Sequence, residues 1–244
     1  MKTIILTGDS RGVGNSIARV LLENNYRLIG ISRTRSNEIE SLIKEYGEEK
    51  YTHINFDLSN VNEIKNLYKK QLRPLTKSNG IYGFVNNAAM AYDDIITNLN
   101  LNRLEMMYKV NVFSPLMMTK YMLRDMLLNK MQGSIIHISS VSAHTGYKGL
   151  SMYASTKGAL EAFSKNTARE WGEKQIKSNI VCPGFMDTEM SASLSNDQKN
   201  RIFNRNSMKK PVETNDVAYT VNFLLSDGGK GITGEIIHVD NGTI

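Results

Sequence analysis

Cysteine is almost absent: the 244 residues hold one, Cys182. No intrachain disulfide can form, and such usage suits a reducing compartment. Long apolar runs are missing too. None approaches the roughly 18 residues of a membrane-crossing helix. The few apolar residues after Met1-Lys2 soon give way to a polar, glycine-containing stretch, so no secretory leader is expected. Nor is there a repeat, a low-complexity tract or an obvious linker. With 41% hydrophobic and 22% charged residues, the composition is that of an ordinary globular chain and excludes disorder. A chain of this length buries a core without staples, and one domain over residues 1–244 is the better count. Charge of one sign is in modest excess. Thirty Lys+Arg against 24 Asp+Glu leave +6, with a pI of about 9.2. That surplus fits nucleic acid, a smaller anionic partner, or a solvated surface.

Short β-branched runs alternate with helical stretches almost to the end. The predicted strands are Thr3–Thr7, Arg27–Ile31, Thr52–Phe56, Tyr82–Asn86, Ser134–Ser139, Ser178–Cys182 and Glu235–Val239. Each is a short apolar run of the kind a doubly covered parallel sheet needs. Helical spacing recurs at Ile17, Val20 and Leu21, and again from Val61 to Leu72. The stretch 99–131 is too long for one ordinary helix, and Ser114-Pro115 reads as a fresh helix start. The pattern predicts an α/β fold: a doubly wound parallel sheet of about seven strands with helices on both faces. Residues 187–210, polar and closed by Pro211, read as a mobile insertion. Eight of the 13 methionines lie between Met90 and Met131, which points to packing or subunit contact.

The first predicted strand runs into Thr7-Gly8-Asp9-Ser10-Arg11-Gly12-Val13-Gly14 and then a helix. A strand, a glycine turn and a helix N-terminus leave backbone N–H groups free to hold a pyrophosphate. No Gly-Lys-Ser/Thr follows, which disfavours ATP and GTP. At the end of the second strand, where an NAD site usually carries a carboxylate, the chain reads Ser32-Arg33-Thr34-Arg35. Guanidinium groups pair with a 2′-phosphate, and Arg11 can converge on the same spot. NADP is the expected dinucleotide. Further on, Tyr153 and Lys157 are four apart in a helical pattern, so their side chains share a face. A neighbouring ammonium favours the phenolate. Tyr46 and Lys50 repeat that spacing, but only the later pair follows a strand ending in serines, Ser139-Ser140.

Taken together, these motifs resemble those of the short-chain dehydrogenase/reductase family over nearly the whole chain. Thr7–Gly14 is similar to its TGxxxGxG, Asn86–Ala89 to its NNAG with Ala89 for glycine, and Pro183-Gly184…Thr188 to its PGxxxT. The tail from Ile232 to Gly242 is similar to its ITGxxxxVDGG, with Asn241 for a glycine. The resemblance implies a single-domain Rossmann fold that binds NADP(H). The implied cofactor contacts are Gly8, Ser10, Arg11, Gly12, Val13, Gly14, Ser32, Arg33, Asp57, Leu58, Asn87, Ala88, Tyr153, Lys157, Pro183, Gly184 and Thr188. It implies a catalytic set of Asn111, Ser140, Tyr153 and Lys157. In that set Tyr153 is the acid/base, and Lys157 tunes it and holds the nicotinamide ribose. Ser140, chosen over Ser139 by the family's spacing to the tyrosine, bonds the carbonyl oxygen, and Asn111 positions a relay water. No Cys/His/carboxylate spacing resembles a metal set. His137 is expected to be a satisfied sheet residue, and Cys182 a small buried hydrophobe.

Within the family the chain is most similar to 3-oxoacyl-[acyl-carrier-protein] reductases. Cys182–Phe185 and Thr188–Met190 resemble their APGFIETDM, and Leu194–Gln198 resembles the start of their substrate lid. The implied substrate is a 3-oxoacyl thioester on an acidic carrier protein, which Lys130 and Lys174 would help dock. The implied setting is cytoplasmic fatty acid synthesis by a homo-oligomer, tetramer or dimer. Neither nucleic acid nor membrane is expected as a partner. The stretch Met90–Asp94 departs from the reductase pattern. An NADP-dependent enzyme of another ketone or alcohol (polyketide intermediate, sugar or small alcohol) therefore stays open, as does a non-catalytic dinucleotide sensor.

Overall fold

The computed structural model describes residues 1–188 and 195–244. Seven strands form one sheet: β1 (Thr3–Thr7), β2 (Arg27–Ser32), β3 (Tyr51–Asn55), β4 (Gly83–Asn86), β5 (Gly133–Ile138), β6 (Ile176–Pro183) and β7 (Ile236–Val239). Their order is β3-β2-β1-β4-β5-β6-β7, and every neighbouring pair is parallel. All seven predicted strands are present within two residues or so. β1 is buried at all five positions because helices cover both faces, which is why its sequence does not alternate with polar residues.

Between the strands run α1 (Gly12–Glu23), α2 (Asn37–Tyr46), α3 (Ile64–Leu67), α4 (Arg73–Thr76), α5 (Leu101–Tyr108), α6 (Ser114–Leu128), α7 (Ser142–Thr145), α8 (Ser151–Trp171), α9 (Asn196–Phe203) and α10 (Thr214–Leu225). β1 shows how the two faces are filled. Ile4 and Leu6 join Ile17, Leu21, Val217 and Val221 from α1 and α10. Ile5 points the other way, to Leu67, Met118, Met122 and Met126. The three methionines are spaced by four along α6 and fully buried. This part of the methionine stripe is therefore core, where an unbranched thioether fills irregular gaps.

Two readings change. The fresh start predicted at Ser114-Pro115 is absent: a wide π turn, Lys109–Phe113, carries α5 directly into α6. Ser114 is helical, and its hydroxyl donates to the Leu58 carbonyl instead of capping. Pro115 has no N–H to give, and the ladder widens just ahead of it. The Tyr46/Lys50 pair also dissolves, because α2 ends at Tyr46 and Gly47 (φ 87°) turns the chain away.

β1 touches both β2 and β4, so the direction of winding reverses there. In such sheets ligands bind in the crevice beyond the strands' carboxyl ends at that reversal.

Candidate active site

At the end of β1 the chain turns through Gly8 (φ 72°) into α1. A Cβ on Gly8 would lie 2.9 Å from the Ala88 Cα, and one on Gly14 only 1.8 Å from the Gly8 carbonyl oxygen. Both glycines are therefore needed for close backbone approach. Gly12 (φ 53°) is different, since a Cβ there would meet nothing within 4 Å. Among the described residues it opens α1 onto free space, and Arg11 at the N-cap makes no side-chain capping bond. That combination of open cradle and uncapped helix start fits a pyrophosphate.

The end of β4 braces this turn. Thr7 Oγ1 accepts the N–H groups of Asn87 and Ala88, both at 3.1 Å. Asn87 Nδ2 donates to the carbonyls of Thr7 (3.1 Å) and Gly8 (3.0 Å). Val13 packs on the first core, and the Ser10 carbonyl accepts from Ser36 Oγ at 2.7 Å. A buried cluster beneath the turn has no counterpart in the sequence reading. Asp9 is fully enclosed, with Tyr51 OH donating to Oδ2 at 2.7 Å and His53 Nδ1 at 2.9 Å. Burial, then Asp9, pushes the Tyr51 phenol up. The available signal was a carboxylate inside a glycine turn, followed by Tyr and His two apart on β3.

At the end of β2, Ser32 Oγ donates to the Thr34 carbonyl at 3.2 Å. Arg33 is exposed, with no ion pair or hydrogen bond among the described residues. Arg35 turns instead to Glu40, Nε to Oε1 2.6 Å, and lies 4.0 Å from Glu48. After β3, Asp57 Oδ1 accepts the Ser59 N–H at 2.8 Å, while Leu58 is buried in the second core.

Across the reversal, α8 sets Tyr153 and Lys157 on one face. Lys157 Nζ donates to the Ile138 carbonyl at 2.8 Å and lies 5.5 Å from the Tyr153 ring centre. Ser140 lies two residues beyond β5 and is half-buried, its Oγ accepting the Ser142 N–H at 3.2 Å. Ser139 is committed elsewhere, donating to Glu161 Oε1 at 2.5 Å. Asn111 is buried in the π turn. Its Oδ1 accepts the Met90 N–H (2.9 Å), and its Nδ2 donates to the Met90 carbonyl (2.8 Å) and Thr156 Oγ1 (3.1 Å). The amide thus tethers the loop after β4 to α8. Met90, Leu104, Met107 and Met152 gather with Tyr92 against Tyr153.

The electrostatics differ from expectation. Burial, helped by Asp93, holds the Tyr153 phenol above its usual range in the free protein, although Lys157 stands beside the ring. Burial also pulls Lys157 down to about 8, which weakens it as a cation. The Tyr153 phenol is therefore protonated at neutral pH. Burial, then Lys157, pushes His137 down to about 3, so it is neutral. It sits edge-on to Phe84 and Phe163, and neither ring nitrogen has a hydrogen-bond partner among the described residues. The expected satisfied sheet histidine is thus an unsatisfied one. Cys182 is fully buried, its thiol raised to about 12 by burial, then Glu161 and Asp240.

Pro183 closes β6, and the Gly184 N–H donates to the Val239 carbonyl at 2.9 Å. A Cβ on Gly184 would lie 2.8 Å from the Asp240 Cα, another close approach. Thr188 is half-buried. Glu189 and Met190, from the stretch similar to APGFIETDM, and Leu194, from the expected lid, lie outside the described residues. Beyond them α9 begins with a capping box of Ser195 and Gln198, and Lys199 Nζ reaches Asp187 Oδ1 at 2.6 Å.

Comparison with known proteins agrees with this geometry. The profile of a family described as enoyl-(acyl carrier protein) reductase matches residues 8–243. A 3-oxoacyl-[acyl-carrier-protein] reductase of Buchnera aphidicola is 32% identical, covering 99% of this chain and 96% of its own. Carbonyl reductase family member 4 of Xenopus laevis is 30% identical over 99% and 97%. Among solved structures, a blue fluorescent protein from a metagenomic library, in complex with NADPH, superposes with a TM-score of 0.90. It is 25% identical and covers 99% of this chain and 97% of its own.

Proposed function

The chain belongs to the short-chain dehydrogenase/reductase family, and from that premise we propose that it is an NADPH-dependent reductase of 3-oxoacyl thioesters carried on acyl carrier protein. The observation that supports the reading is Lys157, which bonds the Ile138 carbonyl at the end of β5 and lies 5.5 Å from the Tyr153 ring centre, with Ser140 two residues beyond that carbonyl. Gly8, Ser10–Gly14, Asn87 and Ala88 would hold the dinucleotide's phosphates. Asp57 and Leu58 would flank its adenine, and Pro183, Gly184 and Thr188 its nicotinamide end. Ser32 and Arg33, with Arg11, would take the 2′-phosphate, whereas Arg35 is spent on Glu40. When bound, NADPH supplies a hydride.

The remaining chemistry belongs to the chain's own residues. Ser140 Oγ donates a hydrogen bond to the carbonyl oxygen as negative charge develops there. Tyr153 donates its phenolic proton to that oxygen, and its burial keeps the proton in place at neutral pH, as the reductive direction requires. Lys157, held by the Ile138 carbonyl, stands beside the ring to favour the phenolate left behind. Asn111, its side chain fully engaged, fixes the loop and helix around the relay.

The apolar wall of Met90, Leu104, Met107 and Met152 suits an acyl chain. The basic surplus suits an acidic carrier, with exposed Lys130 and Lys174 as docking charges. Residues 187–210 would form the lid of one domain. Exposed Leu101, Met106, Phe113 and Leu128 suit a subunit interface. A second reading, reduction of a smaller polar ketone, is favoured by Asp93, whose charge reaches Tyr153. The deciding assay compares acetoacetyl-carrier-protein with free ketones and sugars as oxidants of NADPH. A higher kcat/KM for the carrier-bound substrate is expected. Preference for a free ketone or a sugar transfers the assignment to the second reading.

A further inference from the structure

We propose that His144, Cys182 and His238 form a binding site for a zinc-class divalent transition metal, beside the Tyr153 centre and built from other side chains. The three are 38 and 56 residues apart along the chain and match no sequence motif, yet their donor atoms all lie within 4.8 Å of one another. Two of the three positions are set by the sheet. Cys182 on β6 and His238 on β7 are register partners, so their side chains leave the same face of adjacent parallel strands. His144 arrives from α7, and its ring centre is 5.1 Å from that of His238.

The donor set is chemically selective. One thiolate and two imidazoles suit zinc, cobalt or nickel and are poor ligands for magnesium or calcium. Zn–S bonds of about 2.3 Å and Zn–N bonds of about 2.0–2.1 Å place tetrahedral donors roughly 3.3–3.6 Å apart. Closing the cluster thus requires movements of about 1 Å. The two exposed imidazoles can supply these by small torsional changes, while the buried sulfur stays on its strand. They also provide the route by which a cation enters. Glu161 stands behind His144, its Oε1 lying 3.1 Å from His144 Nε2. It can serve as the acceptor that orients the imidazole. Around the sulfur, the Ser140 backbone favours the thiolate of Cys182, the kind of support a metal-bound thiolate receives. On binding, Cys182 gives its thiol proton to solvent and coordinates as thiolate. The His144–Glu161 pair accounts for one nitrogen of one histidine, and the His238 imidazole has no hydrogen bond among the described residues.

Cobalt(II) titration of chelator-stripped protein tests the site. One equivalent is expected to bind with a thiolate-to-cobalt charge-transfer band that zinc(II) then removes. Cys182→Ser should abolish the band. His144→Asn and His238→Gln, at exposed positions that leave the fold intact, should each weaken binding at least about 10-fold. If wild-type protein shows no such band, or both histidine variants bind cobalt as tightly as wild type, the proposal is overturned. A Cys182→Ser protein that fails to fold leaves the decision to the two histidine variants. Turnover is not measured in this experiment, so the metal site and the proposed reductase activity stand or fall separately.

Discussion

Replacing Asn111 with leucine, close to it in volume, separates tethering from catalysis. The amide now satisfies the N–H and carbonyl of Met90 and one further contact at Thr156. Leucine removes both Met90 bonds. Thr156 loses little, since its hydroxyl still donates to the Tyr153 carbonyl at 2.7 Å. A buried donor left unsatisfied costs about 1–3 kcal/mol, and the half-buried Met90 carbonyl recovers part of its loss from water. The expected destabilisation is therefore about 2–4 kcal/mol. Urea unfolding at fixed protein concentration, analysed at constant slope, reads this directly. Met90 packs against Tyr153, so the same change should loosen the wall around the phenol and lower kcat. NADPH affinity should stay within a few-fold, because the bonds bracing the glycine turn come from Asn87. A variant as stable as wild type to within about 0.5 kcal/mol, yet with kcat abolished, would refute the tether argument. Asn111 would then act on the reaction alone.

Three further outcomes are expected. Tyr153→Phe should lower kcat at least about 100-fold while NADPH still binds, as followed by nucleotide fluorescence; substantial residual turnover would remove Tyr153 as the acid. Arg33→Ala should cost about 1.5–3 kcal/mol, roughly 10- to 100-fold in kcat/KM with NADPH, and leave NADH almost unaffected; an equal loss with both nucleotides contradicts the 2′-phosphate contact. His137 has a folded pKa of about 3, below its unfolded 6.5, so the unfolded chain binds more protons and stability falls as pH drops from about 6.5 towards 3. His137→Leu should therefore be relatively more stable at pH 5 than at pH 7.5 by urea midpoint. A gap independent of pH argues against a buried neutral imidazole.

The strands and their parallel arrangement were legible because burial on both faces demands continuous apolar runs, and β1 and β5 carry them. The glycine turn was legible for a related reason: Gly8 and Gly14 sit where backbones touch, and only one residue type allows that. Other features depend on neighbours distant in sequence. Ser114-Pro115 has the local chemistry of a helix start, but the hydroxyl finds the Leu58 carbonyl and the helix runs on. Arg35 resembles Arg33 until Glu40 claims it. The Tyr153 shift has the same origin, since spacing alone shows the nearby ammonium but not how deeply both groups are enclosed. His144, Cys182 and His238 come together only through the pairing of β6 with β7.

The Asp9 cluster also constrains how this protein can change. Gly30 on β2 faces that carboxylate so closely that a Cβ would fall 1.8 Å from Oδ2. Alanine at position 30 must therefore evict Asp9 from Tyr51 and His53, whereas in an Asp9→Ala background the same alanine meets only the Tyr51 ring, at 3.0 Å, which must give by a few tenths of an ångström. The two substitutions are strongly non-additive, and their order matters. A lineage can lose Asp9 first and fill position 30 afterwards, but the reverse path crosses an unstable intermediate. Restoring Asp9 later is closed for the same reason, so this small contact acts as a ratchet on the history of the cofactor turn.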